Sequence, residues 1–245
     1  MAKQLKKEKK QAWEIVGSIP GVIRDKQGLY LGDLTHYYWV LWHHATNLRG
    51  PYHDYQHMTG VAFRCYDALK FYARFYPGLI SQLQARLLMI AALLHDANHT
   101  MSAFNADGEK ITDQVNIDRA IAFLREHVLE QDRSYQAQIE GLIDSATFFP
   151  PRVVPAELSL LGGILRDADT SQALNRDWIQ KIIFGLGAEL LFNELEMLHM
   201  QESFLGGLVF CTEWAHRRFP RKQILKKIRE ANDLLALAEL RPITV

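Results

Sequence analysis

The sequence predicts an all-α protein, because apolar residues recur at helical spacing along most of its 245 residues. The segments 117–124 and 179–186 each place apolar side chains at positions i, i+3, i+4 and i+7, which is one face of a helix. The run 87–94 is apolar almost throughout and is too long for a typical strand, so it predicts a buried helix. Alternating strand patterns closed by tight turns are missing.

Segments rich in proline, glycine or polar residues separate these helices but do not mark a domain boundary. Breaks are expected at 18–33, which contains Pro20 and three glycines, in the polar segment 99–113, at 149–155 with its three prolines, and before Pro220. None of them resembles a long flexible linker. We therefore expect one all-α domain over 1–245, with an N-terminal helical extension over 1–30 and C-terminal helices over 177–245.

Composition limits the classes of function and location. The chain carries 28 basic and 28 acidic side chains, so its zero formal charge makes a nucleic-acid partner unlikely. No apolar run approaches the roughly 18 residues of a membrane span. The N-terminal lysines are not followed by the apolar core of a secretory signal, and two cysteines are too few for a disulfide framework. These features predict a soluble, cytoplasmic protein that does not bind membranes.

Two histidine pairs carry the first chemical signal. His53 and His57 are four residues apart, and so are His95 and His99. Residues at this spacing share one face of a helix, and Pro51 is suited to start the helix that would carry the first pair. Both pairs are therefore predicted to present two imidazoles to a common point.

Carboxylates follow two of the apolar helices. His95 and Asp96 end the most apolar segment, where a charged pair is costly unless a divalent metal compensates it. The alternative is a helix end that faces solvent. Asp169 also follows an apolar segment, and a residue in this position alone is more often a helix C-cap or turn residue, while Asp167 is a competing carboxylate.

The order His, His-Asp, Asp resembles the HD superfamily of metal-dependent phosphohydrolases, and most closely its cyclic-nucleotide phosphodiesterase branch. Residues 52–61 resemble the motif Tyr-His-Asn-x-x-His-Ala-x-Asp-Val of that branch. Residues 91–101 resemble Ala-x-x-x-His-Asp-x-x-His-Pro-Gly, and residues 168–172 resemble Ala-Asp-Leu-Ser-Asn. The resemblance spans about residues 50–172 and implies an HD-type helical bundle with a metal centre between helices.

The resemblance also implies roles for individual residues. One or two divalent ions (Zn, Mn, Mg or Fe) would be bound, and Asp96 would bridge them. His53 would protonate the leaving group, and His99 would lie near the phosphate or a bridging water. Asp169 is preferred to Asp167 because it aligns with the Ala-Asp pair. The implied ligands of the tighter ion are His57, His95, Asp96 and Asp169.

Departures from the branch motif weaken the case for a true cyclic-nucleotide enzyme but leave the implied ligands in place. Asp54 replaces asparagine, Met58 replaces alanine, Gly60 replaces aspartate, and Thr100-Met101 replaces Pro-Gly. Gln201 and Phe204 resemble the glutamine and phenylalanine that grip a purine in that branch. They follow Asp169 sooner than expected, so an amphipathic helix end is the alternative interpretation.

The resulting hypothesis is metal-dependent hydrolysis of a phosphate ester, similar to that of a 3′,5′-cyclic nucleotide phosphodiesterase. Metal-activated water would attack, and His53 would act as general acid on a small phosphorylated substrate such as a nucleotide. One alternative is an HD-fold sensor or binding module without catalysis. Another is an HD-type di-iron oxygenase, which needs two further histidines, and only His99 and His127 lie in the required interval. The substrate, the metal and the oligomeric state stay open.

Overall fold

The computed structural model describes residues 20–100, 113–146 and 157–239. Within these ranges the chain forms helices and no strand, which confirms the all-α prediction. Residues 20–34 form turns, and the remainder of the predicted N-terminal extension, the segment 101–112 and the break at 149–155 lie outside the described residues. The α-helices are α1 (Thr35–His44), α2 (Tyr55–Phe75), α3 (Gln82–Leu94), α4 (Asp113–His127), α5 (Glu130–Arg133), α6 (Gln136–Ser145), α7 (Leu160–Thr170), α8 (Gly187–Leu190), α9 (Glu194–Gly207), α10 (Glu213–Arg218) and α11 (Arg221–Glu239).

Helix α3 is the centre of the main core, as its apolar sequence predicts. Every residue from 85 to 94 is buried, and α3 contacts α1, α2, α6 and α7. Its start is fixed by a capping box, in which Ser81 Oγ accepts from Gln84 N (3.2 Å) and Gln84 Oε1 accepts from Ser81 N (2.9 Å). The burial of this helix determines where its last residues, which carry the His-Asp pair, enter the core.

A buried ion pair joins α3 to α5. Arg86 donates to both carboxylate oxygens of Asp132 at 2.7 Å, and Tyr37 donates to the same carboxylate at 2.8 Å. A further nitrogen of Arg86 donates to the carbonyls of Leu31 and Asp33. Buried charges are tolerated when they are paired and fully hydrogen-bonded, so this network stabilises the packing of the N-terminal turns on the core.

A second, smaller apolar cluster lies in the C-terminal part of the chain. Ile179–Leu186, predicted as a regular helix, is a π-helix, so its residues do not follow the spacing of 3.6 per turn. Ile182 and Ile183 are buried while Ile179 is 38% exposed. The cluster consists of Trp178, Ile182, Ile183, Met197, Leu198, Ala231 and Leu235.

The helix boundaries correct the expectation for both histidine pairs. Pro51 does not open a helix: α2 begins at Tyr55 after Asp54, whose Oδ1 accepts from His57 N (2.8 Å). His53 therefore precedes the helix that contains His57. At the other site α3 ends before His95, and Asn98 adopts φ 60°, so His99 is outside α3. The prediction that each pair shares a helix face was wrong.

No helix in the described ranges is long and apolar enough to cross a membrane. Pro220 lies directly before α11, in agreement with the break predicted there.

Candidate metal centre

Four side chains from three helices meet inside the main core. His57 lies in the first turn of α2, His95 and Asp96 follow α3, and Asp169 lies at the end of α7. The Nε2 atom of His57 lies 3.0 Å from Asp96 Oδ2 and 3.2 Å from Asp169 Oδ1. The Nε2 atom of His95 lies 3.0 Å and 3.9 Å from the same two oxygens. The structure thus brings together all four residues implied as ligands of the tighter ion.

One nitrogen of each imidazole in this group, Nε2, has no hydrogen-bond partner among the described residues. His57 Nε2 and His95 Nε2 are both buried, and neither makes a hydrogen bond of acceptable direction despite the nearby carboxylates. His95 Nδ1 donates to the carbonyl of Ala92 at 3.1 Å, so its proton is on that nitrogen and Nε2 presents a lone pair. Lone pairs that converge with carboxylate oxygens are a suitable donor set for a divalent cation.

Electrostatics at the group favour positive charge. Burial lowers the pKa of His57, but the nearby carboxylates of Asp169 and Asp96 outweigh it and raise the pKa to about 10. Burial raises the pKa of Asp96, yet His95, His53 and His57 together hold that pKa well below its ordinary value. A site that binds a proton this tightly is also one in which a cation would be stabilised.

The structure separates the two candidate carboxylates on α7. Asp167 accepts hydrogen bonds from Cys211 N (2.8 Å), Thr212 N (2.8 Å) and Thr212 Oγ1 (2.6 Å), at the start of α10. Its oxygens are therefore used to connect α7 to the segment before α10. Asp169, by contrast, lies against the histidines, and the alignment-based preference for Asp169 agrees with this geometry.

A second group shares Asp96 with the first. The potential ligand atoms of His53, Asp96 and His99 all lie within 4.8 Å of one another. The rings of His53 and His99 are stacked, with centroids 3.7 Å apart and planes 16° from parallel. The three residues to which the resemblance gives catalytic roles are thus neighbours, and Asp96 is common to both groups.

His53 is held by Glu189, a residue that the sequence analysis did not identify. Glu189 is buried on α8, and its Oε2 lies 2.5 Å from His53 Nδ1. Its other oxygen accepts from the backbone nitrogens of Tyr52 (2.8 Å) and His53 (3.0 Å). Because a carboxylate only accepts, Nδ1 carries the proton and Nε2 is left for the metal group. A buried acid within an apolar segment was the signal available in the sequence.

A glycine in the π-helix allows this part of the chain to approach the turn that carries His53. A Cβ at Gly185 would lie 2.5 Å from the carbonyl oxygen of Pro51, so only glycine permits this contact. On the same side, Lys181 Nζ lies 2.9 Å from Asp54 Oδ2. The π-helix and α8 therefore contact three successive parts of the turn 51–54.

His99 is also engaged by protein groups. Its Nδ1 donates to the carbonyl of Thr100 at 2.6 Å, and its Nε2 accepts from Asn116 Nδ2 at 3.0 Å. Burial and the nearby His53 lower its pKa to about 3, so His99 is neutral. A neutral imidazole with both nitrogens occupied is suited to orient other groups rather than to bind a cation directly.

The residues suggested as a purine grip lie on α9. Gln201 is buried, and its Nε2 has no hydrogen-bond partner among the described residues, while Phe204 packs partly buried against the main core. Closer to the metal group in sequence, Gln172 Nε2 is also buried without a hydrogen bond. A Cβ at Gly60 would lie 2.7 Å from that nitrogen.

Compared with known proteins, the chain matches no family model, and no curated protein matches its sequence. The similarity to the HD superfamily therefore rests on the three motifs. The presence of His/Asp groups that could hold a metal ion is a property of this structure itself.

Proposed function

We propose that the protein is a metal-dependent phosphohydrolase whose two ion positions share Asp96. The observation that carries the proposal is the pair of buried imidazole nitrogens, His57 Nε2 and His95 Nε2, that face carboxylates without a hydrogen bond. Buried polar atoms are almost always satisfied, so an unsatisfied pair in one place indicates a bound species. Two imidazoles with two carboxylates are a donor set that suits a divalent cation, and this supports such an ion as the bound species.

The chain's own residues suit two neighbouring positions. His57, His95, Asp96 and Asp169 would hold the tighter ion, and Asp96 would also contact a second ion beside His53. When bound, such ions supply positive charge for phosphate oxygens and lower the pKa of water. The mixed nitrogen and oxygen donors favour Mn, Fe or Zn, because Mg prefers oxygen ligands.

His53 supplies the proton for the leaving group in this proposal. Glu189 fixes the orientation of the ring through its contact with Nδ1, so that Nε2 faces the group shared with Asp96. A proton carried on Nε2 would be directed to that group and would be available to a departing alkoxide. His99, stacked on His53 and neutral, keeps the ring in place and adds no charge of its own.

The alternatives receive less support. A di-iron oxygenase needs two further histidines, and His127 contacts His44 and Phe123 while it is absent from both convergent groups. A binding module without catalysis would not require the pairing of His53 with a buried carboxylate. The substrate is proposed as a small phosphate ester, with 3′,5′-cyclic nucleotides first among those to test and Gln201 and Phe204 as base-contacting residues.

The proposal is tested with metal-stripped protein, to which Mn²⁺, Mg²⁺, Fe²⁺ and Zn²⁺ are added separately in the presence of a chromogenic phosphodiester. We expect metal-dependent turnover in the wild type and its loss, together with loss of bound metal, in Asp96→Ala. The Asp96→Ala protein should remain folded, because its side chain is at the end of a helix that other residues bury.

The exposed Asp233 on α11 provides a matched control, and Asp233→Ala should keep both turnover and metal. Full turnover in Asp96→Ala would contradict the proposal. Bound metal without hydrolysis of any phosphate ester would instead favour the binding module or the oxygenase.

A further inference from the structure

The side chain of Asn47 connects the two motifs that form the second group. Asn47 lies in the loop after α1 and is fully buried. Its Nδ2 donates to the carbonyl of His53 at 2.6 Å and to the carbonyl of Asp96 at 2.8 Å. Its Oδ1 accepts from Asn98 N at 3.0 Å. The side-chain amide of Asn47 therefore forms hydrogen bonds with three backbone groups, one before α2 and two after α3.

These hydrogen bonds fix backbone segments that lie outside the helices. His53 precedes α2, and Asp96 follows the end of α3, so neither residue lies within a described helix. Carbonyl groups outside a helix need another hydrogen-bond donor. Here the two hydrogens of the Asn47 amide serve the carbonyls of His53 and Asp96. His57 and Asp169 lie within α2 and α7 and do not depend on Asn47 for their backbone position.

Asn98, two residues after Asp96, forms hydrogen bonds back to the loop that contains Asn47. Asn98 adopts φ 60°, a conformation that asparagine tolerates better than most residues. Its Oδ1 accepts from Thr46 N at 2.9 Å, while its own N–H donates to Asn47. The loop 46–47 and the turn 96–98 are therefore joined by bonds in both directions. No other side chain of similar size offers two donors and an acceptor, so the site requires asparagine at position 47.

We propose that Asn47 is a positioning residue that holds the backbone of Asp96 beside that of His53 and so fixes where Asp96 would contact the second ion. The inference rests on the proposed function, since it concerns the second of the two positions that share Asp96. Loss of Asn47 should leave the ion at His57, His95 and Asp169 in place. The affinity for the second ion should fall at least about 10-fold, as expected when an outer residue that orients ligands is removed.

The test measures Mn²⁺ bound per chain by equilibrium dialysis and the coupling between Mn²⁺ ions by electron paramagnetic resonance. The full chain is compared with Asn47→Asp, which keeps the acceptor for Asn98 and loses both donors, and with Asn47→Ala. We expect two coupled ions in the wild type and one uncoupled ion in both variants. In the phosphodiester assay kcat should fall while KM changes little, because ground-state contacts with the substrate are retained.

Asp132→Asn is the control for a general loss of stability, since Asp132 belongs to the Arg86 network and not to the metal groups. It should keep two coupled ions. Two coupled ions in folded Asn47 variants would overturn the inference, and so would failure of both variants to fold while Asp132→Asn folds. Coupled ions in a wild type that hydrolyses no phosphate ester would contradict the proposed function and leave the role of Asn47 intact.

Discussion

The two groups that share Asp96 are built in different ways. His57 and His95 are 6% and 1% exposed, and in each ring Nε2 lacks a hydrogen bond. His53 and His99 are half-buried, and protein groups engage nitrogens of both rings: Glu189 for His53, and Thr100 and Asn116 for His99. The first group leaves two imidazole nitrogens without a hydrogen bond among the described residues, whereas the second is a polar network that already satisfies most of its atoms.

On the proposed function, the first group would bind the tighter ion and is called the binding group, and the second would orient the reacting groups and is called the orienting group. Helices α2, α3 and α7 fix the binding group through a large apolar core, so its geometry follows from packing. The orienting group lies on turns, held by hydrogen bonds that Asn47 donates to the carbonyls of His53 and Asp96 and that Glu189 accepts from His53. Substitutions in the binding group should therefore remove the tighter ion, and those of residues found only in the orienting group should reduce rate and leave that ion in place.

The largest expected effect is on metal affinity, and it distinguishes the two aspartates of α7. Asp169→Asn should lower metal affinity by at least roughly 100-fold, because a direct ligand matters more than the outer residues whose loss costs about 10- to 100-fold. Asp167→Asn should keep metal and lower the melting temperature, since it weakens bonds to Cys211 and Thr212. Calorimetric metal titration and thermal unfolding of both variants check this. The reverse outcome would make Asp167 the ligand.

An intermediate effect is expected at Glu189. Glu189→Gln should keep the tighter ion and lower kcat by roughly 10- to 100-fold, because the ring of His53 loses the carboxylate oxygen that orients it through Nδ1. His53→Ala should lower kcat at least as much and also keep that ion. Metal content by mass spectrometry and steady-state kinetics measure both. Loss of the tighter ion in either variant would show that His53 is a ligand of it.

The smallest effect on the centre is expected at Asp132, where stability alone should change. Breaking a buried pair costs about 3–5 kcal/mol, so Asp132→Asn should be destabilised at neutral pH with its metal retained. Burial raises the pKa of Asp132, but bonds from Arg86 and Tyr37 outweigh it and lower the pKa. The stabilisation is therefore present above the ordinary value of about 3.9 and lost as pH falls through the folded-state value.

Denaturant unfolding of the wild type and Asp132→Asn between neutral and acidic pH measures this contribution. The gap in unfolding free energy should narrow below about pH 4, where the carboxyl takes up a proton in the unfolded chain while it is still ionised in the folded protein. A gap that is constant over this range would mean that the charge of Asp132 contributes nothing.

Helical periodicity and the motifs predicted the binding group more fully than the orienting group. The apolar run 87–94 predicts a buried α3, and the position of His95 and Asp96 at its end follows from the sequence. The pairs His53/His57 and His95/His99 were each expected to share a helix face, which neither pair does, and no spacing pattern predicted that His53 and His99 would stack. Turns and an αL residue bring them together instead, and these depend on local bonds that a spacing pattern does not encode.

Two residues that hold the orienting group in place lie outside all three sequence motifs. Glu189 is separated from His53 by 136 residues and lies after a π-helix, where counting by 3.6 residues per turn assigns the wrong face. Asn47 is a polar residue in a loop, and such residues are usually exposed. Its burial becomes apparent only when the ends of α1 and α3 and the start of α2 are placed together.

The lack of a side chain at Gly60 leaves room for the amide of Gln172. A Cβ at Gly60 would lie 2.7 Å from the amide nitrogen of Gln172. Any residue larger than glycine at position 60 would therefore displace the flexible end of Gln172, whose amide nitrogen is buried without a hydrogen bond among the described residues.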